Sequence, residues 1–304
     1  MKQINSLAEA LFSQPTSVAL GLFDGVHIGH QQVLLAAAAQ KASGLTPVAF
    51  TFDIDARLPS KIEREHLLSP AMRGRLMAGM GIEYMICPPF EQVKNFSPEE
   101  FVEEILHRTL GAKVVCCGYN YHFGKKAGGS AQDLVRLCGA LGIKVVVVEP
   151  VRIGGQLVSS TMIRGAVAAG EMEQAAAMLG RPFGLDFRVV RGRQLGRTLG
   201  FPTINQPFPA GFCLPRFGVY ASRTHLEGRI LPSVTNVGVK PTVGSDQILA
   251  ETYVVGFEGD LYDQNIFVEL VGFIRPEQRF ASLEELTRQM RQDTELACQI
   301  FQRP

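Results

Sequence analysis

The sequence predicts two domains, an N-terminal α/β domain with a doubly wound parallel sheet and a C-terminal small closed β-barrel with a terminal helix. Up to about residue 180, short apolar runs alternate with amphipathic segments, the pattern of a parallel sheet covered by helices. After residue 183, β-branched and alternating runs follow one another with Gly and Pro between them, as in a small barrel. The 304 residues suffice for two hydrophobic cores. We expect a first domain at residues 1–182, including a helical linker, and a second at 183–304.

The first domain is expected to contain five strands and four helices in alternation. The predicted strands are Val18–Leu22, Val48–Phe52, Tyr84–Cys87, Val114–Cys117 and Val145–Val148. The predicted helices are 31–42, 70–80, 98–110 and 131–141. Ser97 followed by Pro98 marks a helix start, because Ser caps the first turn and Pro fits its first position. Residues 165–182 continue as two short helical pieces that end at Gly180-Arg181-Pro182.

The second domain is expected to be a barrel of short strands closed by one charged helix. The predicted strands are Gly184–Arg191, Gly218–Thr224, Gly228–Val237, Ala250–Phe257 and Asn265–Ile274. The predicted helix runs from about Ser282 to Phe301. It begins with Ser282-Leu283-Glu284-Glu285, which has the form of a capping box.

Composition narrows the class of protein. The net charge is +1 and 46% of the residues are apolar, so a strongly basic surface for nucleic acid is not expected. The apolar runs are too short to cross a membrane, and the first residues lack the apolar core of a signal peptide. The six cysteines are scattered without a Cys-x-x-Cys pair, which predicts free thiols. We expect a cytoplasmic protein with small-molecule substrates, no nucleic-acid or membrane partner, and at most weak self-association.

The stretch from Gly21 to His30 predicts a phosphate site. It joins a predicted strand to a helix, and Gly25 and Gly29 lie around His27 and His30. Backbone N–H groups at a helix start are unpaired and the helix dipole is positive there, so this position favours phosphate. The histidines can add donors as charge develops on phosphate oxygens.

Two further stretches follow later strands of the first domain. Gly118 to Gly129 combines glycines, aromatic side chains that can stack on a ring system, and lysines that can meet phosphate. Val158 to Arg164 places three hydroxyls at a helix start, with Arg164 one turn further in. Because the carboxyl ends of parallel strands meet at one edge of a sheet, all three stretches are expected to converge there.

The second domain carries its own candidate chemistry between Gly192 and Asn205. Three glycines and two arginines in this stretch suit a polyphosphate loop. Glu251 at the head of a predicted strand is a candidate base, since phosphoryl transfer to a hydroxyl needs an acceptor for the departing proton.

These stretches resemble one known family throughout. His27-Ile28-Gly29-His30 is the signature of the nucleotidyltransferase superfamily, and Gly21 to Gln31 resembles the opening motif of the prokaryotic bifunctional riboflavin kinase/FMN adenylyltransferase (FAD synthetase) family. Ser159-Ser160-Thr161-Met162-Ile163-Arg164 is similar to the family's Ser-Ser-Thr-x-Ile-Arg. Residues 196–205 match its Gly-Arg-x-Leu-Gly-Phe-Pro-Thr-x-Asn. The resemblance also includes Asn236 to Thr242, Gly259 to Tyr262, and Arg275-x-Glu277-x-x-Phe280, and it covers residues 17 to 297.

The resemblance implies a Rossmann-like nucleotidyltransferase domain, a riboflavin kinase barrel and a set of site residues. ATP would be the co-substrate, riboflavin, FMN and FAD the substrates and products, and Mg²⁺ the metal. The implied catalytic residues are His27, His30, Arg164 and Glu251. The implied ATP-binding residues are Phe23, Asp24, Gly25, Asn120, Ser159, Ser160, Thr161, Gly192, Gly196 and Arg197. The implied flavin-binding residues are Tyr121, Phe123 and Arg275, and the implied Mg²⁺ ligands are Thr203 and Asn205, whose oxygens suit a hard cation.

Two segments depart from the family pattern and leave alternatives open. Phe52-Asp53-Ile54-Asp55-Ala56 stands where the family has Phe-x-Pro-His-Pro, and Arg73-Gly74 where it has Glu/Asp-Lys. These changes motivate a first alternative, a riboflavin kinase whose N-terminal domain only binds nucleotide. A second alternative is a non-catalytic flavin- or nucleotide-binding regulator, which would not need Glu251. A third is tRNA ligation, which would use the same histidine turn but would need a more basic surface.

Overall fold

A six-stranded parallel sheet forms the centre of the N-terminal part of the chain. In chain order its strands are β1 (Lys2–Ile4), β2 (Thr16–Leu20), β3 (Thr46–Phe50), β4 (Tyr84–Ile86), β5 (Ala112–Gly118) and β8 (Lys144–Val148). Their order across the sheet is β1-β4-β3-β2-β5-β8, and every neighbouring pair is parallel. The chain therefore reverses its direction of winding between β2 and β5, and the crevice at their carboxyl ends is where such sheets bind ligands.

The five predicted strands are confirmed, with two differences. β2 and β3 begin and end two residues earlier than predicted, because buried Thr16 and Ser17 belong to the sheet. Their hydroxyls donate to the carbonyls of Leu110 (2.7 Å) and Ala37 (2.8 Å), so these polar groups are satisfied inside the core. The strand β1 was not predicted, since only one of its three side chains, Ile4, is buried.

Helices connect the strands on both faces of the sheet. They are α1 (Ile28–Ala38), α2 (Pro70–Gly79), α3 (Pro98–Glu100) and α4 (Ala131–Ala140). A π-helical segment, Phe101–Thr109, continues α3. The predicted cap of this helix is confirmed: the Ser97 hydroxyl accepts from Glu100 N at 3.1 Å and the Glu100 carboxylate accepts from Ser97 N at 2.8 Å. Two short hairpins complete this part, formed by the strands β6 (His122–Phe123), β7 (Gly129–Ser130), β9 (Arg152–Ile153) and β10 (Gln156–Leu157).

The computed structural model describes residues 1–10, 12–52, 65–192, 196, 199–242 and 245–302. By their contacts they form two compact units, Met1–Glu63 with Ser69–Ser160, and Arg64–Leu68 with Thr161–Pro304. The linker helices α5 (Ser160–Ala169) and α6 (Met172–Leu179) are present as predicted, and Gly180 ends α6 in the left-handed conformation. The contacts group nearly all of this linker with the C-terminal unit, while the predicted boundary at 182/183 remains a prediction.

The second unit is a curled antiparallel sheet with a terminal helix. Its strands are β11 (Phe183–Leu185), β12 (Thr203–Pro207), β13 (Gly218–Leu226), β14 (Arg229–Thr242), β15 (Ser245–Val254) and β16 (Phe267–Arg275), followed by α7 (Leu283–Phe301). Their order is β11-β16-β13-β14-β15-β12. A bridge between Val190 and Asn205, with Val190 N donating to Asn205 O at 2.8 Å, joins the segment after β11 to β12. The curl thus brings the two edges of the sheet together, which confirms the predicted architecture.

Several details of this unit differ from the sequence expectation. The predicted first strand is regular only at Phe183–Leu185, and β12 was treated as part of a loop although it pairs with β15 over five residues. Ser282 caps α7 as predicted, accepting from Glu285 N at 3.2 Å. The Glu285 carboxylate, however, accepts from Ala281 N at 3.1 Å rather than from the capping residue itself.

Five buried hydroxyls form one continuous chain of hydrogen bonds across β13, β14 and β15. The Thr224 hydroxyl donates to Ser233 (2.8 Å), Ser233 is bonded to Ser222 (2.9 Å), Ser222 to Thr235 (2.8 Å), and Thr235 to Thr252 (2.8 Å). All five residues are almost fully excluded from solvent. Each of these polar groups therefore has a partner where water cannot supply one.

The cysteines all lie in the described ranges and all are free, five of them buried. Burial raises the pKa of the Cys117 thiol to about 11, which makes it unreactive at neutral pH. Among the described residues, the longest helices are too polar or too short to cross a bilayer.

Candidate functional sites

The loop between β2 and α1 has an unusual backbone. Phe23 and Val26 adopt positive φ values of 54° and 39°, and Gly25 between them has a φ of 80°. Non-glycine residues rarely adopt this conformation, and where they do the surrounding structure must hold them there. Asp24, Gly25 and Val26 are all buried, so the loop is packed in place.

The two histidines lie together at the start of α1. Their rings stack with centroids 3.6 Å apart and planes 17° apart. His27 is the N-cap, and its Nδ1 accepts from His30 N at 3.3 Å, so the neutral ring carries its proton on Nε2. A Cβ on Gly29 would lie 3.2 Å from the His27 ring, which explains why the smallest residue separates them.

His30 is partly buried, whereas His27 is buried. The His30 Nδ1 atom is nevertheless shielded from solvent and has no hydrogen-bond partner among the described residues. Burial lowers the pKa of His30 well below 6.5, and the neighbouring His27 lowers it further. His30 is therefore a neutral imidazole at neutral pH, able to donate one hydrogen bond without carrying charge.

The serines of the third predicted stretch reach the histidine loop. The Ser160 hydroxyl donates to the Asp24 carbonyl at 2.9 Å, and Ser159 precedes it in the same unit. Thr161 and Arg164 belong by their contacts to the second unit, where Arg164 Nε donates to the Glu65 carbonyl at 2.6 Å. The structure thus brings Ser160 to Asp24, and it adds a contact to Glu65 that the sequence did not indicate.

The aromatic loop after β5, from Gly118 to Gly129, is held in place by ring contacts with the core. Tyr121 and Phe123 stack with centroids 6.0 Å apart, and Phe123 packs against Phe101 in the core with only 5% of its surface exposed. Burial raises the pKa of the Tyr121 hydroxyl, with a smaller contribution from Cys117. The Asn120 carbonyl lies 3.0 Å from His122 Nδ1. Phe123 therefore supports the loop through its contact with Phe101, and the flavin contacts of Tyr121 and Phe123 stay predictions.

In the second unit, three polar residues on adjacent strands, Asn205, Glu251 and Asn236, form one row across the sheet. Asn205 on β12 pairs in register with Glu251 on β15, which pairs in register with Asn236 on β14. Thr203 lies two residues before Asn205 and so faces the same side of its strand. Strand register therefore brings Glu251 beside Thr203 and Asn205, although it follows Asn205 by 46 residues in sequence.

Close backbone approach supports the Asn205 side chain. A Cβ on Gly192 would lie 2.7 Å from the Asn205 amide nitrogen, so only glycine fits there. Gly196 accepts from the backbone N–H groups of Leu199 and Phe201 at 3.1 and 2.8 Å, which forms a tight turn before β12. Arg197 lies outside the described residues, as do Arg193 and Ile54-Asp55-Ala56.

Glu251 and Asn236 have partners that the sequence analysis did not identify. Lys240 Nζ donates to the Glu251 carboxylate. Asn236 Nδ2 donates to the Glu277 carboxylate at 3.3 Å. A Cβ on Gly238 would overlap the same Glu277 carboxylate, so the Asn236 and Glu277 motifs meet. Alternation along β14 could have placed Lys240 on the same face as Asn236, four residues away, but not beside Glu251 on the next strand.

Arg275 is occupied by a contact with the terminal helix. Its Nε donates to both Asp293 carboxylate oxygens at 3.1 Å, and its Nη2 donates to one of them at 2.8 Å. Asp293 is almost fully buried on α7. Arg275 Nη1 donates to the Pro276 carbonyl at 3.1 Å, so the residue predicted to bind flavin fastens the chain after β16 to α7.

The oxygen donors of Thr203 and Asn205 on β12 suit a hard cation whose other ligands are water and phosphate oxygens. The Thr203 hydroxyl and the Asn205 amide offer oxygen ligands of the kind Mg²⁺ accepts, and Mg²⁺ usually keeps water and phosphate oxygens as its other ligands. Within the described ranges no group of three or more His, Cys, Asp or Glu side chains could hold a metal by itself. A separate cavity of about 730 Å³ lies between the β13–β14 hairpin and the β15–β16 loop, and none of the predicted site residues lines it.

Known proteins match both parts of the chain. Residues 10–162 match the family model for FAD synthetase, and residues 179–301 match that for riboflavin kinase. A bifunctional riboflavin kinase/FMN adenylyltransferase from Listeria monocytogenes is 33% identical over 284 residues, covering 91% of this chain and 89% of that protein. One from Pseudomonas fluorescens is 34% identical, covering 91% and 90%. A crystal structure of a Streptococcus pneumoniae protein named a macrolide-efflux protein has a TM-score of 0.86 and 28% identity, covering 97% of both chains.

Proposed function

Since the chain belongs to the family of bifunctional riboflavin kinase/FMN adenylyltransferases, we propose that its two reactions take place at the two clusters described above. The chain phosphorylates riboflavin to FMN with ATP, and it adenylylates FMN with a second ATP to give FAD and pyrophosphate. Matches to both family models favour this two-activity prediction over the kinase-only alternative, and they give no support to a non-catalytic regulator or a tRNA ligase. What remains to be proposed is which residues perform each step.

Riboflavin phosphorylation is assigned to the row on β12, β15 and β14. The riboflavin 5′-hydroxyl attacks the γ-phosphorus of ATP, and Glu251 accepts the proton that leaves the hydroxyl. Thr203 and Asn205 would hold Mg²⁺, which when bound neutralises the charge on the ATP phosphates. The register of Asn205 with Glu251 is the observation that carries this assignment, because it places the proposed base beside the proposed metal ligands.

FMN adenylylation is assigned to the loop between β2 and α1. The FMN phosphate attacks the α-phosphorus of ATP and pyrophosphate leaves. His27 and His30 donate hydrogen bonds to the oxygens on which charge develops, and the N-terminus of α1 adds its own N–H groups. Arg164, Ser159, Ser160 and Thr161 keep the triphosphate role that the family resemblance implies. The stacked histidines at the start of α1 are the supporting observation.

The remaining predictions concern the substrates and the metal, self-association and location. ATP, riboflavin and FMN follow from the family, whereas Mg²⁺ rests on the oxygen donors of Thr203 and Asn205. Weak self-association and a cytoplasmic location remain predictions from the sequence.

Selective loss of one reaction tests this division. We expect His27→Ala to stop FAD formation from FMN while leaving FMN formation from riboflavin unchanged. We expect Glu251→Gln to lower FMN formation by at least about a hundredfold, the scale of positioned proton transfer, while FAD formation from supplied FMN continues. Chromatography of the flavin products after incubation with ATP and Mg²⁺ measures both.

Residues of the same types outside both clusters serve as controls. His107→Ala on the Phe101–Thr109 segment and Glu295→Gln on α7 change residues of the same two kinds, and both reactions should continue. If either His27→Ala or Glu251→Gln stopped both reactions in a folded protein, the assignment of one reaction to each cluster would be wrong.

A further inference from the structure

Arg73 is buried in the first unit although it is a charged residue. It lies on α2, which begins after Ser69, whose hydroxyl accepts from Met72 N at 3.0 Å. Only 2% of Arg73 is exposed, which makes it the largest of the fully buried side chains. Burying a guanidinium is costly unless its donors are used, so its contacts identify what it holds.

The guanidinium contacts the chain just beyond the ends of three neighbouring strands. Arg73 Nη1 donates to the carbonyls of Leu22 (3.3 Å) and Phe52 (3.0 Å) and approaches the Thr51 hydroxyl at 3.4 Å. Its Nη2 lies 3.7 Å from Cys87 Sγ. Leu22 follows β2, Thr51 and Phe52 follow β3, and Cys87 follows β4. One side chain thus links the carboxyl ends of these three strands.

Thr51 makes a second set of hydrogen bonds between the same strand ends. Its hydroxyl donates to the Leu22 carbonyl at 3.0 Å, and its backbone N–H donates to the Ile86 carbonyl at 2.9 Å. Leu22 directly precedes Phe23, the first residue of the loop with positive φ values that leads to His27. The position of the Leu22 carbonyl therefore fixes where this loop begins.

We propose that Arg73 is a positioning residue for FMN adenylylation, which holds the start of the β2–α1 loop in the geometry that receives ATP. The proposal rests on the proposed function of that loop. Arg73 acts through the Leu22 and Phe52 carbonyls and does not itself touch the reacting atoms. A planar guanidinium presents several donors in a fixed arrangement, whereas the ammonium of a lysine is a single flexible point, so the two are not equivalent here.

Steady-state kinetics of both reactions tests the proposal on the full-length protein. We expect Arg73→Met to raise the KM for ATP in FAD formation about tenfold or more and to lower its kcat, because a displacement of about 1 Å in a positioning element can cost about a hundredfold in rate. Riboflavin phosphorylation by the same preparation should keep its kcat and its KM for ATP. Arg73→Lys should fall between Met and the parent.

Arg75→Met is the matched control, because Arg75 lies on the same helix with an exposed side chain. It should leave both reactions unchanged. A purely structural role for Arg73 would reduce the folded fraction and so lower the apparent kcat for FAD formation without changing the KM for ATP. That result would overturn the proposal, as would an unchanged KM together with an unchanged kcat in a folded variant.

If Arg73→Met does not fold, Arg73→Lys and Thr51→Val carry the test. We expect both folded variants to have a raised KM for ATP. If the double variant shows less than the sum of the two effects, Arg73 and Thr51 act together in holding the loop. Unchanged KM values in both overturn it. Failure of the proposed function itself would be recognised separately, since His27→Ala would then leave FAD formation intact.

Discussion

His27 and His30 show how two like residues acquire different tasks from their surroundings. His27 uses one ring nitrogen to cap α1, which fixes its proton on the other nitrogen. His30 is held neutral by burial and by its neighbour. The pair can therefore present hydrogen-bond donors to phosphate at neutral pH without two adjacent positive charges, which would repel each other at a ring separation of 3.6 Å.

The lowered pKa of His30 predicts a loss of stability at acidic pH. Below about pH 6.5 the unfolded chain binds a proton at His30 that the folded chain does not, so the free energy of unfolding should fall as pH falls. The contribution of one such group is at most about 1.4 kcal/mol per pH unit. Denaturant unfolding of the parent and of His30→Gln at pH 5.5, 6.5 and 7.5 measures it. The variant should show a shallower dependence on pH, and equal slopes would contradict the prediction.

At the same scale, the sequence placed His27 and His30 together at one helix start, and the structure has both rings there. The same was not true of Lys240 and Asp293. Lys240 reaches Glu251 only because β14 and β15 pair in one register, and Asp293 reaches Arg275 only because α7 packs on the strands. The spacing of residues along the chain therefore predicts neither of these two contacts.

At the scale of elements, the buried hydroxyls of β13, β14 and β15 help to define how these strands pair. A slip of one residue would turn Ser222, Thr235 and Thr252 to the other face and break the chain of hydrogen bonds. Apolar contacts alone discriminate less sharply between registers. Because Glu251 and Asn236 are neighbours in that same register, the buried hydroxyls and the proposed kinase row depend on one alignment.

Removing hydroxyls from this chain should have unequal costs. Thr235→Val deletes an inner group, which is bonded to both Ser222 and Thr252, and should destabilise the second unit by about 2 to 3 kcal/mol. Thr224→Val deletes an end group with one bond, to Ser233, and should cost about 1 kcal/mol. Both changes preserve side-chain shape. Thermal and denaturant unfolding measure the difference, and equal costs would show that the hydroxyls act independently.

The sequence predicted elements well where apolar runs define them and poorly where polar residues are buried. Thr16 and Ser17 belong to β2 because their hydroxyls find carbonyl partners, which no apolar pattern indicates. β12 contains Asn205 and Gln206 and follows a glycine-rich stretch, so it resembled a loop. Gln206 is nevertheless fully buried, with its amide donating to the carbonyls of Phe187 and Ile266.

At the scale of the whole molecule, one short segment from the first part of the sequence groups with the C-terminal unit. Arg64–Leu68 groups with the C-terminal unit although residues on both sides of it group with the N-terminal one. His66 N donates to the Gly211 carbonyl at 2.7 Å, and Cys213 N donates to the His66 carbonyl at 2.8 Å. His66 and Phe212 thus form a parallel bridge, and the Glu65 carbonyl accepts from Arg164.

Backbone substitution at His66 should therefore weaken the second unit. His66→Pro removes the N–H that donates to Gly211, and its loss should lower the unfolding free energy of that unit by about 1 to 3 kcal/mol. His66→Ala keeps the backbone donor and serves as the control. Unfolding followed through riboflavin kinase activity reports on the relevant unit. Equal stability of the Pro and Ala variants would show that this bridge contributes little.

The excursion of Arg64–Leu68 limits how this protein can be taken apart and recombined. If the gene were split, or fused to another gene, after residue 160, the C-terminal fragment would lack Arg64–Leu68. It would then lose the hydrogen bonds of His66 with Gly211 and Cys213. Grafting the kinase cassette onto a foreign partner would therefore require that partner, or an added peptide, to supply an equivalent extended segment.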